Sequence, residues 1–309
     1  MSLATRDGFG DELVCLGKDE KNLIVLSADL SKATRTTKFL EKFPERFFEC
    51  GIAECNAIGI ASGLSENGFY PVFSSFASFL TGKYDVIRVS ACYSDASMLL
   101  VGTHSGMAIG KDGVTQMGLE DISLMRSLPN MKVYQPATYN QTRDMLKLII
   151  KQPGPSYLRL GRQPVDEIFT QNSNIELGKL QIVKQCDEPD ITIIVSGCVL
   201  TDVIKAAEMI EKQKSKKVNI INAHTLKPFD TEGLIKYTKN SELVVTVEDH
   251  TIVGGLGSIV SETLSEHSPK RVKRIGLNDV FPESGTPKDL YEKYNLNAKG
   301  IFKTITEVI

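Results

Sequence analysis

The stretch MLLVGTHSGMAIGKDGVTQMGLED (residues 98–121) decides how this chain is read. It opens on an apolar run, 98–102, with the length and composition of a buried strand. From 103 to 121 periodicity is lost, and glycines, His104, Asp112 and Gln116 are interleaved with apolar residues. A helical pattern starts at Leu119 and continues to Leu128. Strand, loop and helix in that order form one unit of an α/β sheet. A loop of this length inside a compact domain is functional or disordered, and the apolar interleaving argues against disorder.

The same unit recurs on both sides. Short β-branched runs at 23–27, 46–50, 71–75, 132–136 and 155–160 alternate with helical patterns at Asn56–Glu66, Phe76–Tyr93 and Asn140–Lys151. Such alternation predicts parallel strands with helices on both faces of the sheet. It lapses in the polar stretch 163–189 and resumes with strands at 191–196, 217–222, 243–248 and 272–277. The expected fold is α/β in two domains, each a mostly parallel sheet with helices on both faces. The boundaries read as 1–165, a linker over 166–189, and 190–309.

Composition excludes several classes. A chain of 309 residues favours two domains over one core. A net charge of -2 leaves no footprint for nucleic acid or an anionic membrane. No apolar run reaches the roughly 18 residues needed to span a bilayer, and MSLATRDGFGDEL lacks the pattern of a secretory signal. The six cysteines, at 15, 50, 55, 92, 186 and 198, form no C-x-x-C pair and read as reduced core residues. These features predict a cytoplasmic protein. Motifs for nicotinamide, ATP or zinc sites are absent, and no metal ligand set is expected in this chain.

Four constellations could carry chemistry. In GIAECNAIGIASGL (51–64), Glu54 stands where a strand hands over to a helix rich in small residues. Open α/β sheets bind ligands at that end, although an acidic residue there also complements the helix dipole. In FSSFASFLTGKYDVIR (73–88), Phe76 and Phe79 share a helix face, either as core or as a stacking platform for a flat heterocycle. In the long loop, His104 is the histidine best placed to face a site, while His224, His250 and His267 read as structural or solvated. In YLRLGRQP (157–164), Arg159 and Arg162 suit carboxylate or phosphate, or a salt bridge.

Taken in order, these segments resemble the transketolase family. The resemblance covers essentially the whole chain: ATRDGFG (4–10), LSADLS (26–31), ERFFECGIAE (45–54), SSFASFLTGKYDVIR (74–88), 103–137, YLRLGRQ (157–163), HTLKPFD (224–230) and VEDHTIVGGLGS (247–258). It implies a pyrimidine-binding domain followed by a transketolase C-terminal-like domain. The family's diphosphate-binding domain, with its G-D-G motif and metal-ligating Asn, has no counterpart here. The expectation is therefore a split transketolase whose partner subunit holds the diphosphate of thiamine diphosphate with Mg2+ (or Ca2+), in an α2β2 heterotetramer.

By the same resemblance, Glu54 matches the catalytic glutamate that contacts N1′ of the cofactor's aminopyrimidine. That contact favours the imino tautomer, whose 4′-nitrogen removes the thiazolium proton. Phe76 and Phe79 match aromatics packed on the pyrimidine, and Asp29 an acidic residue near the cofactor. Arg6, His104 and Arg162 match positions holding a sugar phosphate. Asp112 matches a reader of a substrate hydroxyl, and Gln116 a position taken by His or Gln; His104 counts among the catalytic residues. Two departures fall at the substrate end: Ala33 replaces a phosphate-binding serine, beside Thr34, and Lys111 replaces a glutamate. The implied activity is transfer of a two-carbon ketol unit from a ketose phosphate to an aldose or related carbonyl, a nucleotide sugar included. Two rivals stand beside it. One is a β-subunit-like part of a 2-oxo-acid dehydrogenase or of a deoxyxylulose-phosphate synthase-like enzyme, and the other is a non-catalytic regulatory relic.

Overall fold

The computed structural model describes residues 2–171 and 174–309. In the N-terminal part the strands are β1 (Leu3–Ala4), β2 (Leu23–Ser27), β3 (Phe47–Glu49), β4 (Tyr70–Phe76), β5 (Leu99–Thr103), β6 (Lys132–Tyr134), β7 (Ser156–Arg159) and β8 (Pro164–Val165). Further on come β9 (Gln181–Lys184), β10 (Ile191–Val195), β11 (Val218–Asn222), β12 (Thr225–Lys227), β13 (Leu243–Thr251) and β14 (Val272–Leu277). Strands β2 to β7 run parallel in a seven-stranded sheet of order β12-β6-β7-β5-β4-β2-β3. A five-stranded sheet has the order β14-β13-β10-β11-β9, with only β9 antiparallel. LIVLS in β2 and ITIIV in β10 are buried at every position, as strands covered on both faces must be. The two-domain α/β expectation holds.

Four local readings need correction. The connector 166–189 contains β9, which pairs with β11 along the edge of the second sheet. The strand is short and nowhere fully buried, with Ile182 exposed and Lys184 half-exposed, so no long apolar run marked it within a polar stretch. Strand β12 crosses back to pair antiparallel with β6, so the first sheet takes its last strand from the second half of the chain. Phe76–Tyr93 is not one helix: Phe76 ends β4, Ala77–Thr81 is a short helix of its own, and Tyr84–Val86 runs on into the π-helical Ile87–Tyr93. The cysteines are free, yet only Cys92 is buried and Cys55 is exposed, so the core reading fits one of them.

The helix Thr5–Asp19 shows how packing overrides propensity, since it carries glycines at 8, 10 and 17. A Cβ at Gly8 would meet the Tyr139 backbone, and one at Gly17 the rings of Phe39 and Phe43. The smooth face lets neighbours approach while Phe9 and Leu13 are buried completely. The two halves are also joined by shared core. Phe76, Met107, Ile109 and Leu119 pack in one cluster with Ile193, Val195, Val245, Val247 and Leu290. No helix among the described residues is long and apolar enough to cross a membrane.

Candidate active site

Strands β3 and β4 flank β2 on opposite sides, so the strand order reverses beside β2. Doubly wound sheets bind ligands in the crevice beyond the strand C-termini at such a reversal. Asp29 follows β2, Glu54 follows β3, Phe76 ends β4, His104 follows β5 and Arg162 follows β7. One end of one sheet thus gathers residues scattered along the chain from Asp29 to Arg162.

Glu54 is the first residue of the helix Glu54–Glu66 and is buried. Ser75 Oγ donates to its Oε1 at 3.4 Å. Upstream, Glu49 Oε1 accepts from the backbone N–H of Asp29 at 2.7 Å and of Gly51 at 3.0 Å. Glu49 therefore ties the loop after β2 to the turn that delivers Glu54. Asp29 has a left-handed backbone (φ 59°) and an exposed side chain. The rings of Phe76 and Phe79 stack with centroids 5.1 Å apart, and Phe76 lies 3.9 Å from the His104 ring.

His104 is buried, with φ 55°. Its Nε2 lies 2.8 Å from Arg6 Nη1 and its Nδ1 lies 2.9 Å from Thr103 Oγ1. Thr103 Oγ1 in turn donates to the Ser75 carbonyl at 3.2 Å. The strand ends that carry Glu54's partner and the histidine are thereby linked. Burial first, then the charges of Arg6, Arg162 and Arg35, push His104 down to about 3. Arg6 is itself lowered to about 10, by burial and then by Arg35. It donates from Nη1 to the Ala33 carbonyl at 3.0 Å, while its Nε is buried without a partner among the described residues. An unpaired guanidinium N–H in a cationic cluster leaves a donor available to an anion.

The loop after His104 forms two short turns, Gly106–Asp112 and Val114–Gln116. Arg162 Nη1 reaches the Ile109 carbonyl at 3.2 Å and Asp112 Oδ2 at 3.4 Å, bringing Asp112 to the cluster. Gln116 is partly exposed in the second turn, and Lys111 is exposed. Ala33 offers no hydroxyl, and Thr34 does not replace one, because its Oγ1 donates to the Leu30 carbonyl at 3.0 Å. Arg159 stays outside the crevice, fully buried on Asp121 at 2.9 Å. His224 and His250 are buried, and that burial holds each near a pKa of about 4, while His267 is exposed. Glu49, Ser75, Thr103 and Arg35 escaped the sequence reading. Only the adjacency of Thr103 to His104 at a strand end hinted at one of them.

A crevice that joins a carboxylate and a stacked aromatic pair to a cluster of arginines and a histidine defines the class. It is an α/β protein whose parallel sheet carries these groups together at the C-terminal ends of its strands. Comparison with known proteins narrows this. The transketolase pyrimidine-binding domain matches residues 1–167, and the transketolase C-terminal domain matches 178–301. The chain belongs to the transketolase family, whose members are transferases. It is 40% identical over 306 residues to a chain of Methanocaldococcus jannaschii provisionally named a transketolase C-terminal section, covering 98% of this chain and 95% of that one. It is 34% identical to the 6-deoxy-6-sulfo-D-fructose transketolase subunit SqwH of Clostridium sp. (strain MSTE9), over 98% and 94% of the two chains. A solved split-gene transketolase, described as an inactive β4 tetramer, superimposes with TM-score 0.90 at 39% identity, over 99% of this chain and 98% of that one.

Proposed function

We propose that this chain is the small subunit of a thiamine-diphosphate-dependent transketolase, transferring a two-carbon ketol unit from a ketose phosphate to an aldose or related carbonyl. The carrying observation is the hydrogen-bonded run from Glu54 through Ser75 and Thr103 to His104 and Arg6, which couples a heterocycle site to an oxyanion site. The residues present fit the coenzyme's pyrimidine: Phe76 and Phe79 supply the aromatic wall, Asp29 lies at the rim, and Glu54 is the carboxyl for N1′. When bound, thiamine diphosphate supplies a nucleophilic carbon and an electron sink. Glu54 holds the proton relation at N1′ on which that chemistry depends.

Arg6, Arg162 and neutral His104 bind the substrate's oxyanion, Asp112 reads a hydroxyl, and Gln116 faces the reacting end. The oxyanion is a phosphate, or a sulfonate of the kind that the SqwH relative's name specifies. Ala33 and Lys111 set the choice of sugar, nucleotide-linked acceptors included. The diphosphate and its Mg2+ (or Ca2+) belong to a partner subunit, in an α2β2 assembly in the cytoplasm. Support for a covering partner comes from exposed apolar residues just before Glu54, on its helix and on the helix packed beside it. Ile52 is 83% exposed and Tyr93 88% exposed, with Ile60 and Val89 also open on helices joined by Ser62 Oγ donating to the Ser90 carbonyl.

The test is reconstitution with a diphosphate-binding subunit, followed by assay on a ketose phosphate and on pyruvate. Ketol transfer from the phosphate is expected. Turnover of pyruvate alone would move the chain to the 2-oxo-acid or deoxyxylulose-phosphate class, and no turnover with cofactor bound would make it a non-catalytic relic.

A further inference from the structure

None of the crevice residues named above comes from the second domain, yet its Asp249 reaches the loop that carries His104. It lies on β13, 4% exposed. Its Oδ1 accepts the Met107 N–H at 3.2 Å, and its Oδ2 accepts the Tyr291 hydroxyl. Tyr291 accepts in turn from Gln163 Nε2 at 3.1 Å, the residue after Arg162. Gly106 sits between His104 and Met107 with φ 70°, and a Cβ there would collide with the Asp249 carboxylate.

The far end of the same loop is fixed by the same neighbourhood. Arg159 Nη2 donates to the Gly118 carbonyl at 2.9 Å and to the Asp249 carbonyl at 2.8 Å. The Gly118 carbonyl also accepts the Gly106 N–H at 2.8 Å, closing the loop on itself. His104, with its left-handed backbone, is held at the root of a segment whose two ends are both pinned to the second domain. An αL conformation at a non-glycine residue persists only where its surroundings over-determine it.

We propose that Asp249, backed by Tyr291, is a positioning residue for the substrate oxyanion: it fixes the backbone at 106–107 so that His104 faces Arg6. The second domain then acts as the anchor of the substrate loop. The proposal rests on the reading that Arg6, His104 and Arg162 bind a substrate oxyanion. Small displacements of binding groups carry large kinetic penalties, so loosening this anchor costs oxyanion recognition while sparing the distant carboxylate of Glu54.

The test uses the reconstituted holoenzyme with Asp249→Ala, Asp249→Asn and Gly106→Ala, assayed on a ketose phosphate and on hydroxypyruvate, a donor without phosphate. Asp249→Ala and Gly106→Ala are expected to raise KM for the phosphorylated donor about tenfold or more, leaving KM for hydroxypyruvate within about twofold. Asp249→Asn, which retains an acceptor for Met107, should recover most of the loss. Hydrogen exchange at the Met107 amide gives a readout free of activity: it should quicken about tenfold in Asp249→Ala and stay near wild type in Asp249→Asn. Equal changes in KM for both donors, or unchanged Met107 exchange, would overturn the anchor role. If the wild-type enzyme uses neither donor, the transketolase reading fails by itself, and the exchange measurement still decides the positioning. Should Asp249→Ala not fold, Tyr291→Phe carries the same comparison, because it removes the hydroxyl that orients Asp249.

Discussion

The Nε2 atom of His104 and the Nη1 atom of Arg6 lie 2.8 Å apart. A guanidinium nitrogen has only protons to offer, so Nε2 must be the acceptor. The imidazole is therefore neutral with its proton on Nδ1, which donates to Thr103 Oγ1, and that hydroxyl donates onward to the Ser75 carbonyl. Each contact in the run pairs one donor with one acceptor only in this tautomer. The arrangement leaves the cationic charge of the cluster on the arginines.

His104 titration follows from this. Burial and the neighbouring guanidiniums hold it near 3, against an ordinary value of 6.5. A depressed pKa means that the unfolded chain takes up the proton first. The histidine's contribution to stability is thus complete above pH 6.5 and is lost as pH falls toward 3. Stability measured by urea unfolding should decline below about pH 6.5, and His104→Asn should reduce the slope by up to about 1.4 kcal/mol per pH unit. An NMR midpoint for His104 anywhere between about pH 5 and 8 would refute the assignment.

Glu54→Gln should leave the fold and subunit assembly intact, because the amide preserves shape and can still accept from Ser75. Turnover should drop by about 10²-fold to 10⁴-fold, since an acid–base contact at the pyrimidine is removed. Single-turnover kinetics of the reconstituted enzyme check this. A variant retaining near-normal turnover would take Glu54 out of the chemistry.

Removing one cation from the cluster should weaken recognition of the charged end of the substrate alone. Arg6→Met is expected to cost about 2 kcal/mol of binding, a rise of about thirtyfold in KM for a ketose phosphate, with hydroxypyruvate nearly unaffected. Ala33→Ser works in the other direction. It returns a hydroxyl to the residue whose carbonyl Arg6 already contacts, and should lower that KM by about fivefold. Steady-state kinetics with the two donors read both effects. An Ala33→Ser enzyme no better than wild type excludes Ala33 as a determinant of phosphate affinity.

Arg159 tests the other fate of a strand-end arginine. Its guanidinium is fully buried against Asp121 and two carbonyls. Arg159→Leu strands the Asp121 carboxylate, and unfolding free energy should fall by about 3–5 kcal/mol. Chemical denaturation measures it. A loss under about 1 kcal/mol would mean that the pair contributes no more than a surface ion pair.

The two arginines of YLRLGRQP show what periodicity can and cannot tell. Both stand at the end of one strand, and periodicity does not separate the one on Asp121 from the one beside Asp112; only the family resemblance favoured Arg162. The strands themselves were readable because a run such as ITIIV has no fate but burial on both faces. Strand β12 was not, since Thr225–Lys227 owes its place to β6, far upstream in the chain, and not to any pattern of its own. Helix Thr5–Asp19 was likewise hidden, because its glycines are explained only by the rings and backbone that lie against them.

Residue order alone thus determined the class of fold, the strand-end positions of Glu54, His104 and Arg162, and the transketolase resemblance. Each is written in short-range periodicity and local motif. Tertiary structure decided which hydroxyls complete the Glu54-to-Arg6 run, which arginine is core, and that Asp249 grips the loop behind His104. Those are contacts between strand ends, or between domains, and a linear sequence fixes neither the sheet order nor the docking that brings them within hydrogen-bonding reach.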